Sequence, residues 1–182
     1  MKTSYKHLNN IQKGSFSESY AKMAFTLEGF EVYSTDYDDR GVDFIIRNND
    51  GRYFSVQVKS TGQSANPFIY AESFEVSPDF ILCAVRLVEG KAPEVYLACG
   101  TDWGKKGECL NYNPGGGKAG AYYELRFSKV YSESLKRHKF EKYVEELRGF
   151  QTVTPQRIES IVAPNLGTAT PADNSEVTGS SH

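Results

Sequence analysis

The chain has 182 residues, 39% of them apolar and 13% aromatic, with a formal net charge of −2. That length holds one ordinary domain and a tail, and no apolar run nears the roughly 20 residues of a membrane span, which argues against a membrane partner. A near-neutral chain is not a generally basic nucleic-acid binder, so any basic surface must be local; the tail from Gln151 carries one basic and three acidic side chains, leaving twenty of each sign before it.

Residues 1–13 are polar, set no clear element, and lack the apolar segment of a secretory signal. A helix is expected from Ser15, with Phe16, Tyr20, Met23 and Leu27 at helical spacing and Gly29 as its stop. Ser15 and Glu18 fit a capping box, a structural use of the glutamate that competes with a chemical one. Phe30 to Ser34 reads as a short strand. Thr35 to Gly41 is an acidic loop whose Asp36, Asp38 and Asp39 lack the calcium-loop pattern and its terminal Glu.

Beyond the stretch 41–61, treated below, Ser60 to Pro67 is a polar turn region, and Phe68 to Val76 an excursion hairpin or edge strand. Phe80 to Val88 is the most apolar run and reads as a buried central strand; Glu94 to Ala98 returns as another. Gly100 to Gly120 is a long loop with Trp103, Lys105, Lys106 and Lys118, of a length that tends to be functional or mobile. Its Asn113–Ala119 segment is not a phosphate loop: Tyr112 stands at the first glycine position, Ala119 replaces the hydroxyl residue, and no helix pattern follows. Tyr122 to Phe127 is a further strand, and Ser128 can cap a helix to about Arg148 whose basic middle, with His138 in it, reads as a solvated face.

Residues 151–182 form a tail expected to be largely disordered, for want of apolar anchors. Residues 1–150 are then one domain. Cys83, Cys99 and Cys109 are odd in number and have no CxxC spacing, which suits small core residues in a reducing cytoplasm better than zinc ligands.

The stretch Gly41 to Thr61 holds two strand-like runs joined by a turn. Alternation along the second puts Tyr53, Ser55, Gln57 and Lys59 on one face and Phe54, Val56 and Val58 on the other. A three-residue loop, Asn49-Asp50-Gly51, pairs Asn48 with Arg52 and brings Asp43 opposite Gln57. A two-residue Asp50-Gly51 loop would set Asp43 against Val58 and scatter the polar group. The sequence does not choose between them; the first is favoured because it gathers Asp43, Gln57 and Lys59. A carboxylate and an amide oxygen are hard ligands suited to Mg²⁺, and a lysine beside them can orient water or stabilise charge on a phosphate. A buried Lys–Asp ion pair would explain two of these residues without chemistry, but not Gln57.

Gly14-x-x-x-Glu18, Gly41-Val-Asp43 and Gln57-Val-Lys59, in that order, resemble the PD-(D/E)XK nuclease superfamily, and the helix-borne glutamate resembles its Holliday-junction-resolvase-like branch. The resemblance covers residues 14–61. It implies an α/β fold with a mixed central β-sheet flanked by helices, a restriction-endonuclease-like core. It implies Mg²⁺- or Mn²⁺-dependent phosphodiester hydrolysis, most often of DNA, in a defence, mobile-element or repair setting. Under it, Asp43 is the central metal ligand, Gln57 replaces the usual acidic ligand, Lys59 is the catalytic lysine and Glu18 the helix carboxylate. The backbone carbonyl of Val58 joins Asp43, Gln57 and Glu18 as a metal ligand. Val42 replaces the family's proline, and Gln57 removes a negative charge, which weakens metal binding. The competing reading is a nuclease-fold module without catalysis that binds nucleic acid or protein. A junction resolvase, a subclass of the first reading, would need a homodimer.

Overall fold

The computed structural model describes residues 3–34, 41–103, 108–115 and 120–149. Asp36, Asp38, Asp39, Lys105, Lys106, Lys118 and the tail lie outside the described residues.

The first helix, α1, spans Asn10–Leu27. It starts at Asn10 rather than Ser15 because Asn9 is its cap. The Asn9 side chain accepts from the Gln12 N–H at 2.9 Å, and the Gln12 side chain accepts from the Asn9 N–H at 2.9 Å, a reciprocal capping box. The Ser15–Glu18 box therefore does not form; both residues lie inside the helix, and Glu18 has no capping role. Ser17, Ala21 and Phe25 make the buried stripe. Phe25 meets Phe30, Phe44 and Phe140 edge-on, with ring centroids 5.5, 6.0 and 5.1 Å away.

Among the described residues eight strands follow, one of them, near Tyr112, a short piece of what had read as loop. They are β1 (Glu31–Ser34), β2 (Phe44–Arg47), β3 (Tyr53–Thr61), β4 (Phe68–Tyr70), β5 (Phe80–Arg86), β6 (Glu94–Cys99), β7 (Leu110–Asn113) and β8 (Tyr122–Leu125). The main sheet has the order β1-β2-β3-β5-β6. Only the β3–β5 pair is parallel, so the fold is α/β with a mixed sheet, as expected. Strand β5 is buried on both faces, which explains why it is continuously apolar rather than alternating.

The two faces carry different layers. Phe44, Ile46, Val56, Ile81, Val85 and Leu97 pack against α1 and the last helix in one core. Phe80, Leu82, Ala84, Tyr96 and Ala98 face the opposite way, onto a second sheet of order β4-β8-β7. The sequence reading held no such sheet: β7 sits inside the expected 100–120 loop, and β4 is only three residues long.

The helix expected from Ser128 to Arg148 is broken. Ser128 caps a single turn, after which α2 (Ser132–Arg137) and α3 (Phe140–Leu147) are separated by His138 and Lys139. Those two residues bond to β6: the Leu97 N–H donates to the His138 carbonyl at 2.7 Å, and Lys139 bridges to Tyr96. Pairing with the free edge of β6 outweighs helical continuity. His138 is consequently buried rather than solvated. Its Nδ1–H donates to the Leu97 carbonyl at 2.8 Å, and its ring stacks on Tyr143.

Candidate active site at the open end of the hairpin

The β2–β3 hairpin adopts the three-residue loop. The Asn48 N–H donates to the Arg52 carbonyl at 3.0 Å, and the Gly51 N–H to the Asn48 carbonyl at 3.0 Å. Gly51 has φ of 84°, the left-handed conformation this loop requires. The Asn48 side chain locks it, accepting from the Arg52 N–H and donating to the Leu147 carbonyl, each at 2.9 Å. The register runs from Arg47 opposite Tyr53 to Phe44 opposite Val56.

The ladder stops there, one pair short of Asp43–Gln57. The Asp43 N–H donates to the Val56 carbonyl at 2.9 Å, and the Asp43 carboxylate accepts from the Val58 N–H at 2.5 Å. A backbone carbonyl of β2 would normally take that N–H. Instead β2 peels away from β3 and the carboxylate fills the ladder position, near the plane of the sheet. Asp43 is thus held at the seam rather than standing on the Gln57 face. Its negative charge adds to burial in raising the Cys83 thiol on β5. The N–H and C=O of one strand residue point to the same side, so the Val58 carbonyl also faces the gap that β2 leaves.

Gln57 and Lys59 stand on the face turned away from α1. Both line a cavity of about 540 Å³ between the end of β3 and the second sheet. Gln57 is only 4% exposed, yet its Oε1 has no hydrogen-bond partner among the described residues. Its amide nitrogen lies against Gly41, where a Cβ would fall 2.5 Å from Nε2. With φ of 73° as well, position 41 needs glycine for both backbone and space. Lys59 is half-buried and has no ion pair among the described residues. A buried amide oxygen without a partner costs about 1–3 kcal/mol.

Glu18 lies on α1, over the other face. Lys22, one turn further along, sits with its ammonium 5.6 Å from the Phe44 ring centroid and 3.4 Å from the Ser34 hydroxyl. Glu18 shares that helix face and lies about 6 Å nearer the N-terminus. The chain enters α1 from Tyr5, which bonds Glu89 and Lys91 beyond β5, and leaves it at Glu28, which bonds Arg148. The N-terminal direction of α1 is therefore that of the Asp43 end of the sheet. Hydrogen bonds and ion pairs among the described residues do not join Glu18 to Asp43, Gln57 or Lys59.

Three neighbours of the site had no role assigned from the sequence. Gly41 shapes the Gln57 pocket, and its left-handed φ is legible only once its partner is known. Phe68 and Tyr70 of β4 line the same cavity, but only the second sheet brings them there. Among the described residues no group of three or more His, Cys, Asp or Glu side chains could hold a metal ion, and no helix is long and apolar enough to cross a membrane.

No family model and no curated protein matches the chain. Among solved structures it is similar to a bacterial homing endonuclease, with a TM-score of 0.46 and 13% sequence identity, over 78% of this chain and 96% of that one.

Proposed function

We propose that this chain is a metal-dependent nuclease that hydrolyses phosphodiester bonds in DNA at the open end of the β2–β3 hairpin. The observation that carries this is the orphaned, buried amide oxygen of Gln57 in the same cavity as Lys59, which has no ion pair among the described residues. The donor set fits a hard divalent cation. The Asp43 carboxylate, Gln57 Oε1, the Val58 carbonyl and, from the helix side, Glu18 would hold Mg²⁺ or Mn²⁺, all through oxygen. When bound, the ion supplies Lewis acidity towards a phosphoryl oxygen and lowers the pKa of a coordinated water.

The chain's own groups do the rest. The Val58 N–H holds the Asp43 carboxylate in one orientation, so its remaining lone pairs are aimed without further ordering. Lys59 places a positive charge where a phosphate oxygen gains negative charge in the transition state. Gln57 and Lys59 are fixed relative to each other by β3, which pairs with β5 throughout this region.

Incubation with supercoiled, linear and branched DNA plus Mg²⁺ or Mn²⁺ tests the proposal. Wild-type protein should cut, EDTA should stop it, and Lys59→Ala and Asp43→Asn should each cut about 100-fold more slowly or worse. Equal cleavage by wild type and Lys59→Ala removes the assignment. The second reading, a nuclease-like module that binds without cutting, is favoured by one observation: the described residues gather no three acidic or imidazole ligands. Nucleic-acid binding without cleavage or divalent-ion binding by wild-type protein would select it.

A further inference from the structure

The cavity beside Lys59 has a second wall of different chemistry. Phe68 and Tyr70 stand two residues apart on β4 and so point the same way, while Ile69 between them is buried. Both rings are nearly half exposed, at 45% and 49%, and both line the cavity that holds Gln57 and Lys59. Their centroids are 5.4 Å apart with planes at 85°, and Phe68 meets the Tyr122 ring of β8 at 5.6 Å. Held edge to face, the two rings cannot cover one another, so flat aromatic surface stays open towards the cavity.

We infer that Phe68 and Tyr70 form a stacking wall for the unpaired bases of a DNA strand whose phosphate reaches Lys59. This rests on the nuclease reading and names its substrate class: single-stranded or locally unpaired DNA, such as a flap, in preference to intact duplex. The cavity presents a cation on one side and aromatic faces on the other, which is the pairing a nucleotide offers in reverse. Spacing points the same way. Rings 5.4 Å apart with planes at 85° cannot both stack on successive bases held parallel at the 3.4 Å per-strand rise of duplex DNA, so the wall suits bases that have been splayed. Glu124, across from Phe68, is paired with Arg126 at 2.9 Å. Stacking of a base on an aromatic side chain is tolerant of sequence, so the preference is for unpaired structure and not for particular bases.

Binding of a labelled single strand, a flapped duplex and a blunt duplex is measured by fluorescence anisotropy with EDTA present, and cleavage of the two duplexes with Mg²⁺. Wild type should bind the single strand and flap more tightly than the blunt duplex. Phe68→Ala and Tyr70→Ala should each weaken single-strand binding about 10-fold and blunt-duplex binding by a clearly smaller factor. Phe68→Leu and Tyr70→Leu keep apolar bulk and so guard against a folding defect; they should show the same loss, and Phe68→Trp should restore binding. Leucine variants that bind single strands as wild type does overturn this inference alone. A blunt duplex cut as fast as a flap by wild type does the same, while leaving the nuclease proposal standing. Wild-type protein that neither binds nor cuts any of the three overturns both.

Discussion

Gln57 is where residue-scale chemistry departs most from a conventional metal site. It supplies an oxygen but no charge, at a position with 4% exposure. Replacing it by glutamate changes only the charge. Two opposite charges about 4 Å apart gain roughly 1 kcal/mol in water and about 4 at an effective dielectric constant of 20, so Gln57→Glu should bind Mg²⁺ or Mn²⁺ at least about 10-fold more tightly by calorimetry. Without metal the same change buries a carboxylate close to Asp43, and the melting temperature in EDTA should fall below wild type. Addition of the divalent ion should reverse that order. Unchanged metal affinity would mean that the Gln57 oxygen does not face the ion. Glu18 yields a smaller lesson: its capping alternative vanished because Asn9 and Gln12, not Ser15, close the helix end.

At the scale of elements, local chemistry was legible where it alone decides. Of the two loops the sequence allowed, the favoured Asn49-Asp50-Gly51 loop forms, and with it the register from Arg47 to Phe44. What it could not reveal was that Asp43 leaves the ladder to cap the Val58 N–H, since that depends on where the chain before Gly41 goes. The break between α2 and α3 was hidden for a similar reason. Helical propensity continues through His138, but the open edge of β6 claims its carbonyl.

That break carries a pH consequence. Burial holds the His138 pKa below its ordinary 6.5; the Leu97 bond and the charges of Asp102 and Glu108 oppose this, and Arg137 reinforces it. Above pH 6.5 the ring is neutral folded or unfolded. As the pH falls through about 6.5, the unfolded chain takes up a proton that the folded one resists, so stability is lost on acidification. Melting temperature should therefore drop between about pH 7.5 and 5.5. In His138→Gln, which keeps an N–H for the Leu97 carbonyl and does not titrate, the drop should be shallower. Parallel curves for the two proteins would place the acid sensitivity elsewhere.

For the whole molecule, the main sheet was legible and the second one was not. Long apolar or alternating runs announce β3 and β5, whereas β4, β7 and β8 have three or four residues each and gain their burial only by packing on β5 and β6. The aromatic wall was hidden with them. Its presence bears on how a chain of net charge −2 could hold nucleic acid. Arg47, Arg52, Arg86, Arg126, Lys136, Arg137 and Arg148 are each within ion-pair distance of a carboxylate, so most of the described guanidinium charge is already answered. Each phosphate neutralised releases counterions and steepens the fall of affinity with salt by nearly one log unit per log unit. Lys59 is the one cation among the described residues lining the cavity, so log K for single-stranded DNA should fall against log salt with a slope of about −2 to −3, not the roughly −10 of a protein that clamps many phosphates. Most of the remaining affinity would then be salt-independent stacking on Phe68 and Tyr70. Titrations over a range of NaCl concentrations measure both parts at once: Lys59→Ala should flatten the slope by somewhat under one unit, and Tyr70→Leu should lower the whole line without changing its steepness. A steep wild-type slope would show instead that basic side chains outside the cavity engage DNA phosphates, and that charge, not stacking, holds the strand.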